Sequence, residues 1–137
     1  MSNKVCRSLV EAKLSAWAAA RSPALAVAWE NVPFTPPAGV YLRGFLLPAT
    51  TMAPDLEGAL RTLRGVYQIS VMAPINVGPG VAEGIAGELE AVFPLNQRLT
   101  GSGLVLQIIT PVTAAQGAQD ADRFVLPVSF QYRADTI

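Results

Sequence analysis

The sequence predicts an α+β domain, a mostly antiparallel mixed β-sheet with two α-helices packed on one face, as a single domain spanning residues 1–137. Three observations predict it. Two segments repeat apolar residues at helical period, and several others alternate them with period two. Their order is helix, three strands, helix, then two or three strands, which fits helices gathered on one side of a sheet better than a regular strand-helix alternation. The length suits one hydrophobic core, and no internal repeat divides the chain.

Residues 4–20 form the first helix, with Ser2 or Asn3 as cap and Cys6, Val10, Leu14 and Trp17 as its apolar stripe, widened by Leu9. It ends before Ser22-Pro23. Leu25, Val27 and Trp29 then share one face of a first strand that Pro33 closes. Residues 33–39 hold three prolines and a glycine, and make a stiff connector without regular structure. In the second strand, Val40 to Leu47, Tyr41, Arg43, Phe45 and Leu47 oppose Leu42 and Leu46, and two largely apolar faces predict a central position.

Residues 48–58 lack periodicity and read as a long loop. The third strand covers about 61–73, with Gly65 as a candidate bulge. Pro79 opens a second helix that reaches about Phe93, with Val81, Ile85, Leu89 and Val92 buried and Glu83, Glu88 and Glu90 mostly on the solvent side. A Thr100–Gly103 turn precedes a short apolar strand, Leu104 to Thr110, and Ala114 to Ala121 form a loop. In the last strand Phe124, Leu126, Val128, Phe130 and Tyr132 alternate with Val125, Pro127, Ser129, Gln131 and Arg133, and Pro127 points to an edge or a bulge.

Composition narrows the function classes. Hydrophobic residues make up 51% of the chain and charged residues only 15%, below the usual share of a globular domain, so apolar surface is left over for partners. Ten basic residues balance ten acidic ones, so there is no net field to draw in nucleic acid, although local basic patches are compatible with that balance. All the basic residues except Lys4 and Lys13 are Arg, the cation suited to fixed ion pairs and interfaces. Glu11 and Lys13 interrupt any apolar signal-peptide core. The uncharged stretches 65–82 and 99–119 are broken by Gly, Pro and Gln, so neither is a membrane-crossing helix and no membrane partner is expected.

Candidate chemistry is sparse. The sequence has no histidine, which removes the commonest general base and metal ligand. A single cysteine, Cys6, excludes an intramolecular disulfide and a cysteine-cluster zinc site, and its place on the helix stripe reads as a buried structural thiol. Asp120 with Asp122, and Asp55 with Glu57, are the carboxylate pairs, both in polar loops where turn formation and solubility are the plainer roles. Gly78-Pro79-Gly80-Val81-Ala82-Glu83-Gly84 stands where a phosphate loop would, but its third glycine is misplaced and Pro79 removes a donor, so a helix entry is the better reading. Trp17 and Trp29 fall at core-facing spacing. No catalytic residue, cofactor or metal is expected, and the chain does not read as an enzyme.

The most specific phrase is Ala28-Trp29-Glu30-Asn31-Val32-Pro33-Phe34-Thr35-Pro36-Pro37. With Tyr41-Leu42-Arg43, Leu46-Leu47-Pro48-Ala49, Arg64-Gly65-Val66-Tyr67-Gln68 and Pro127-Val128-Ser129-Phe130-Gln131-Tyr132-Arg133-Ala134-Asp135, it resembles the small tail terminator proteins of long-tailed bacteriophages, related to the lambda-type minor tail proteins. The resemblance implies a virion protein at the head-proximal end of the tail, assembled in the host cytoplasm. It implies a homo-oligomeric ring, typically hexameric, that caps the tail tube, ends its polymerisation and presents a surface to the head-side connector or completion protein. DNA would pass through such a ring only as cargo. A head-completion or connector protein of the virion neck is the alternative. Two groups are candidate assembly contacts by position: Thr50, Thr51, Met52, Pro54, Asp55 and Glu57 in the loop 48–58, which would order on assembly, and Arg43, Arg61 and Arg64, whose plainer role is a solvated face.

Overall fold

The computed structural model describes residues 3–53, 56 and 60–136. The elements are α1 (Asn3–Ala20), β1 (Ala26–Ala28), β2 (Tyr41–Pro48), β3 (Thr62–Pro74), α2 (Gly80–Val92), β4 (Arg98–Gly101), β5 (Leu104–Ile108), β6 (Thr113–Ala114), β7 (Ala118–Asp120) and β8 (Arg123–Thr136). They make the α+β fold that the order of periodicities predicts. One sheet runs β1-β2-β3-β8-β5-β4, with β6 and β7 also paired to β8. Among the described residues only the β1–β2 pairing is parallel.

The sheet is built around the two longest strands. β3 and β8 pair without a break from Thr62↔Asp135 to Pro74↔Arg123. Period two sends Leu63, Tyr67, Ile69, Val71 and Ala73 to the same side as Leu126, Val128, Phe130, Tyr132 and Ala134, and these residues are buried. α1 covers this side with Cys6, Val10, Leu14 and Ala18, spaced four apart. α2 adds Ala82, Ile85 and Leu89, and Phe93 follows at its C-terminal cap. Phe130 stacks on Phe93 at 4.9 Å and on Tyr67 at 6.1 Å, so helix and sheet meet through aromatic rings. Burying each such side chain contributes roughly 1.5–3 kcal/mol.

Two tyrosines lie over glycines of neighbouring strands. A Cβ on Gly65 would stand 2.6 Å from the Tyr132 hydroxyl and 2.7 Å from the Leu47 carbonyl, and one on Gly44 would collide with the Tyr67 hydroxyl. Gly65 is therefore not a bulge: its register with Tyr132 and Pro48 is regular, and it is glycine because a ring occupies the space of its side chain.

Several other expectations are corrected. Asn3 is the first helical residue and its Oδ1 makes no hydrogen bond, so it is not a side-chain cap, and Ser2 lies outside the described residues. The buried stripe of α2 is Ala82, Ile85 and Leu89; Val81 is exposed, because Ala82 with Phe93 continues the stripe closer to the sheet. β2 is central only where β1 covers Tyr41 to Arg43; from Gly44 onward no strand of the described residues covers its outer edge. β4 precedes the expected turn and forms a two-residue hairpin with β5, in which Ser102 and Gly103 both have positive φ. The segment 114–121 carries β6 and β7 rather than an unbroken loop. Pro127 lies in the middle of the sheet. Its carbonyl accepts from the Ala115 N–H, so its backbone polar side faces the gap between β6 and β7, where no ladder donor is needed.

Candidate assembly surface

The loop expected at 48–58 begins as a continuation of the β2–β3 hairpin. The Ala49 N–H donates to the Arg64 carbonyl at 2.8 Å, and Met52 and Thr62 exchange two backbone hydrogen bonds, at 2.8 and 2.9 Å. Thr50 and Thr51 are exposed on this arm, and Met52 shows 52% of its surface. Leu47, Leu56 and Leu60 are exposed on the same arm, so it offers apolar side chains to a partner at little cost to the core. Pro54, Asp55 and Glu57 lie outside the described residues.

The sheet does not gather Arg43, Arg61 and Arg64. Arg43 pairs in register with Ser70, which is six residues and roughly 20 Å along β3 from Arg64, and its guanidinium lies over the Phe45 ring at 5.4 Å. Arg61 precedes β3 by one residue. There its N–H donates to the Thr136 hydroxyl at 3.0 Å and its guanidinium to the Leu60 carbonyl at 2.9 Å. What the register does assemble is a row across the side of the sheet away from the helices: Arg98 opposite Gln107, Gln107 opposite Arg133, and Arg133 opposite Arg64. All three arginines are exposed. The same side carries Arg43 and Arg123, with Asp120 and Asp135 as the acids, so a chain of zero net charge has a cationic sheet face.

Asp135 flanks the middle of this row, two residues from Arg133 on β8. It accepts from Thr62 Oγ1 at 2.7 Å and pairs with Arg133 at 3.0 Å. Partial burial opposes its ionisation, but the Thr62 and Arg133 hydrogen bonds and the charges of Arg133 and Arg64 hold its carboxyl below the usual range. At the other end of β8, ten residues from Arg133, Arg123 donates to the carbonyls of Pro37 and Gly39 and lies over the Tyr41 ring at 4.9 Å. Phe34 meets that ring at 5.1 Å. The proline-rich connector thus closes over this corner and leaves the arginine row open.

The free part of the β2 edge is guarded. Glu30 reaches back to accept the Leu46 N–H at 2.6 Å and pairs with Arg7 of α1 at 2.8 Å. Arg7 also lies 3.6 Å from Glu11, which accepts from the Tyr67 hydroxyl at 3.3 Å. Burial pushes the Glu11 carboxyl up despite Arg7. Burial is outweighed at Glu30, where Arg7 and the Leu46 N–H pull the carboxyl down. A carboxylate on an edge N–H blocks that position to an incoming strand. The phrase Ala28–Pro37, one of those that carry the family resemblance, therefore includes an edge guard, which only the tertiary contacts reveal.

The remaining sequence candidates have structural places. Cys6 is fully buried and its thiol is pushed up to about 11 by burial. Trp17 and Trp29 pack half-buried against the core. Asp120 and Asp122 are exposed, and no group of three potential metal ligands occurs among the described residues. Pro79 sits at the N-cap of α2 with no side-chain cap hydrogen bond. No helix of the described residues is long and apolar enough to cross a membrane.

A family model described as phage tail terminator protein matches residues 6–132. A solved structure of a protein 43% identical in sequence superposes with a TM-score of 0.83, covering 98% of this chain and 96% of the other. No curated protein matches.

Proposed function

The chain belongs to the phage tail terminator family, a structural rather than enzymatic family of the phage tail, and on that premise we propose that it forms a homo-oligomeric ring capping the tail tube at its head-proximal end. The observation that carries this reading is the family match, which extends over nearly the whole fold. The ring, with six subunits as the expected number, occupies the growth site of the tube and stops its polymerisation. Its opposite surface receives the head-side connector or completion protein, and DNA passes through as cargo.

The structure supports contacts made by surfaces rather than by a catalytic pocket. The β2–β3 arm offers Thr50, Thr51 and Met52 beside exposed leucines, and the loop 48–58, which includes Pro54, Asp55 and Glu57, is the segment assigned to order on assembly. Arg43, Arg61 and Arg64 are assigned to separate contacts, with other subunits or with the tube, since the sheet keeps them apart.

The test adds purified protein to polymerising tail tube subunits and measures tube length by electron microscopy. A terminator arrests growth with a cap at one end, whereas a neck connector leaves tube length unchanged. Deleting Thr50 to Pro54 should keep the monomer folded but reduce ring formation; unaltered assembly in size-exclusion chromatography refutes the arm's role.

A further inference from the structure

We propose that the uncovered arginine face of the sheet docks onto the α2 side of a second copy of this chain, with Arg98, Arg133 and Arg64 of one copy meeting Glu83 and Glu90 of the next. The inference rests on the ring reading and names the contact within it.

Charge complementarity inside one sequence carries the argument. The sheet face holds five arginines against two aspartates, and α2 holds three glutamates with no basic residue. Glu88 is already taken, by Arg21 in a two-pronged pair at 2.9 Å on each oxygen. Glu83 and Glu90 are exposed on the rim of a groove of about 540 Å³ between α2 and residues 112–117. Among the described residues neither has an ion-pair partner, and the same holds for Arg64 and Arg98. Arg64 and Arg98 on one side and Glu83 and Glu90 on the other are thus charges of opposite sign without ion-pair partners among the described residues.

Their spacings also agree. Arg98 and Arg133, the latter also paired with Asp135, are two strands apart, roughly 10 Å, and Arg64 lies one strand further. Glu83 and Glu90 are seven residues apart on one helix, also roughly 10 Å. Between them on the helix lies Gly87, around which there is open space, so a neighbouring sheet can approach the helix closely. α2 packs on the side of β3 and β8 opposite the arginine row, so the two patches are different surfaces and the contact is heterologous. Such contacts propagate from copy to copy and close into a ring or continue as a filament according to the rotation between neighbours. An extended polyanion could also contact the arginines, but it would leave the glutamates of α2 unmatched.

The test uses charge reversal in the full chain. One variant carries Arg64→Glu and Arg98→Glu, the other Glu83→Arg and Glu90→Arg, and circular dichroism checks that both fold. Mass photometry and electron microscopy then follow assembly alone and with tail tube subunits. Each variant alone should lose assembled species by at least tenfold, and an equimolar mixture should regain them, because each copy then presents a matching surface to its neighbour. Wild-type-like assembly of either variant alone, or a mixture that stays unassembled, overturns this contact while leaving the ring reading intact. Wild-type protein that forms no oligomer even on tubes overturns both. Salt-sensitive binding of double-stranded DNA by wild type, lost in the arginine variant while self-assembly persists, reassigns the face to a polyanion and overturns the proposal.

Discussion

The two faces of the sheet obey different rules. On the helix side, neighbouring residues are fixed by volume: Tyr132 fills the place of a Gly65 side chain, and Phe130 is held between Phe93 and Tyr67. On the other side, Arg64, Arg98 and Arg133 stand in a row in solvent, and only Asp135 engages one of them in an ion pair. One face determines whether the chain folds. The other buries Tyr41, Thr62, Ser70 and Met72 but leaves its arginine row exposed and available for selection by partners. The difference teaches that in this protein stability and assembly are separable by substitution.

The largest effect that would break this separation is at Phe130. Phe130→Ala should cost about 3–5 kcal/mol in urea unfolding, since it leaves a cavity between two packed rings. A cost below 1 kcal/mol would show that the helix side is not the rigid one. Gly65→Ala comes next, at about 1–3 kcal/mol, because the added methyl meets a backbone carbonyl that cannot move without shifting β2. The reverse sign is expected at Gly84 on the outward side of α2. There Gly84→Ala has open space and should raise the unfolding free energy by about 0.5–1 kcal/mol. Arg98→Ala, on the open face, should change the urea midpoint by less than about 0.5 kcal/mol equivalent while weakening assembly.

The helix side and its edge were legible in the sequence to different depths. α1 and the last strand could be read directly because their apolar periods run long enough to exclude the alternative period. β4, β6 and β7 could not, because strands of two to four residues carry no period of their own and exist through pairing with β5 and β8. Val81 misled the reading of α2 because a valine and an alanine one position apart define equally regular stripes, and only the sheet selects the smaller. The arginine row was invisible for a further reason. Alternation gives each residue's face within its strand, but the register between strands brings Arg64, Arg98 and Arg133 together from distant parts of the chain. Arg61 and Arg64 show the converse, since neighbours in sequence three residues apart fall on opposite faces of an extended strand.

The smallest expected effect lies in the dependence on pH, where Glu11 pulls against Glu30 and Asp135. Asp135 and Glu30 are held below the ordinary carboxylate range in the fold, so their contributions are complete above that range and are lost as pH falls through their lowered values. Glu11 is held above it, so its charged form is disfavoured in the fold, and stability rises slightly as pH falls through its raised value. Chemical denaturation across mildly acidic pH should show a shallow rise followed by a decline. Glu11→Gln should remove the rise and keep the decline, while Asp135→Asn should shrink the decline alone.

Cys6 turns the packing of α1 into a clock. As the sole sulfhydryl, wholly enclosed and with its ionisation pushed up to about 11, it reacts with an alkylating reagent only during excursions that lift the first helix away from the sheet. The labelling rate therefore reports the frequency of those excursions without any added probe. A neighbour seated on the arginine side would leave that rate to the intrinsic breathing of the chain, whereas one clasping α1 would slow it.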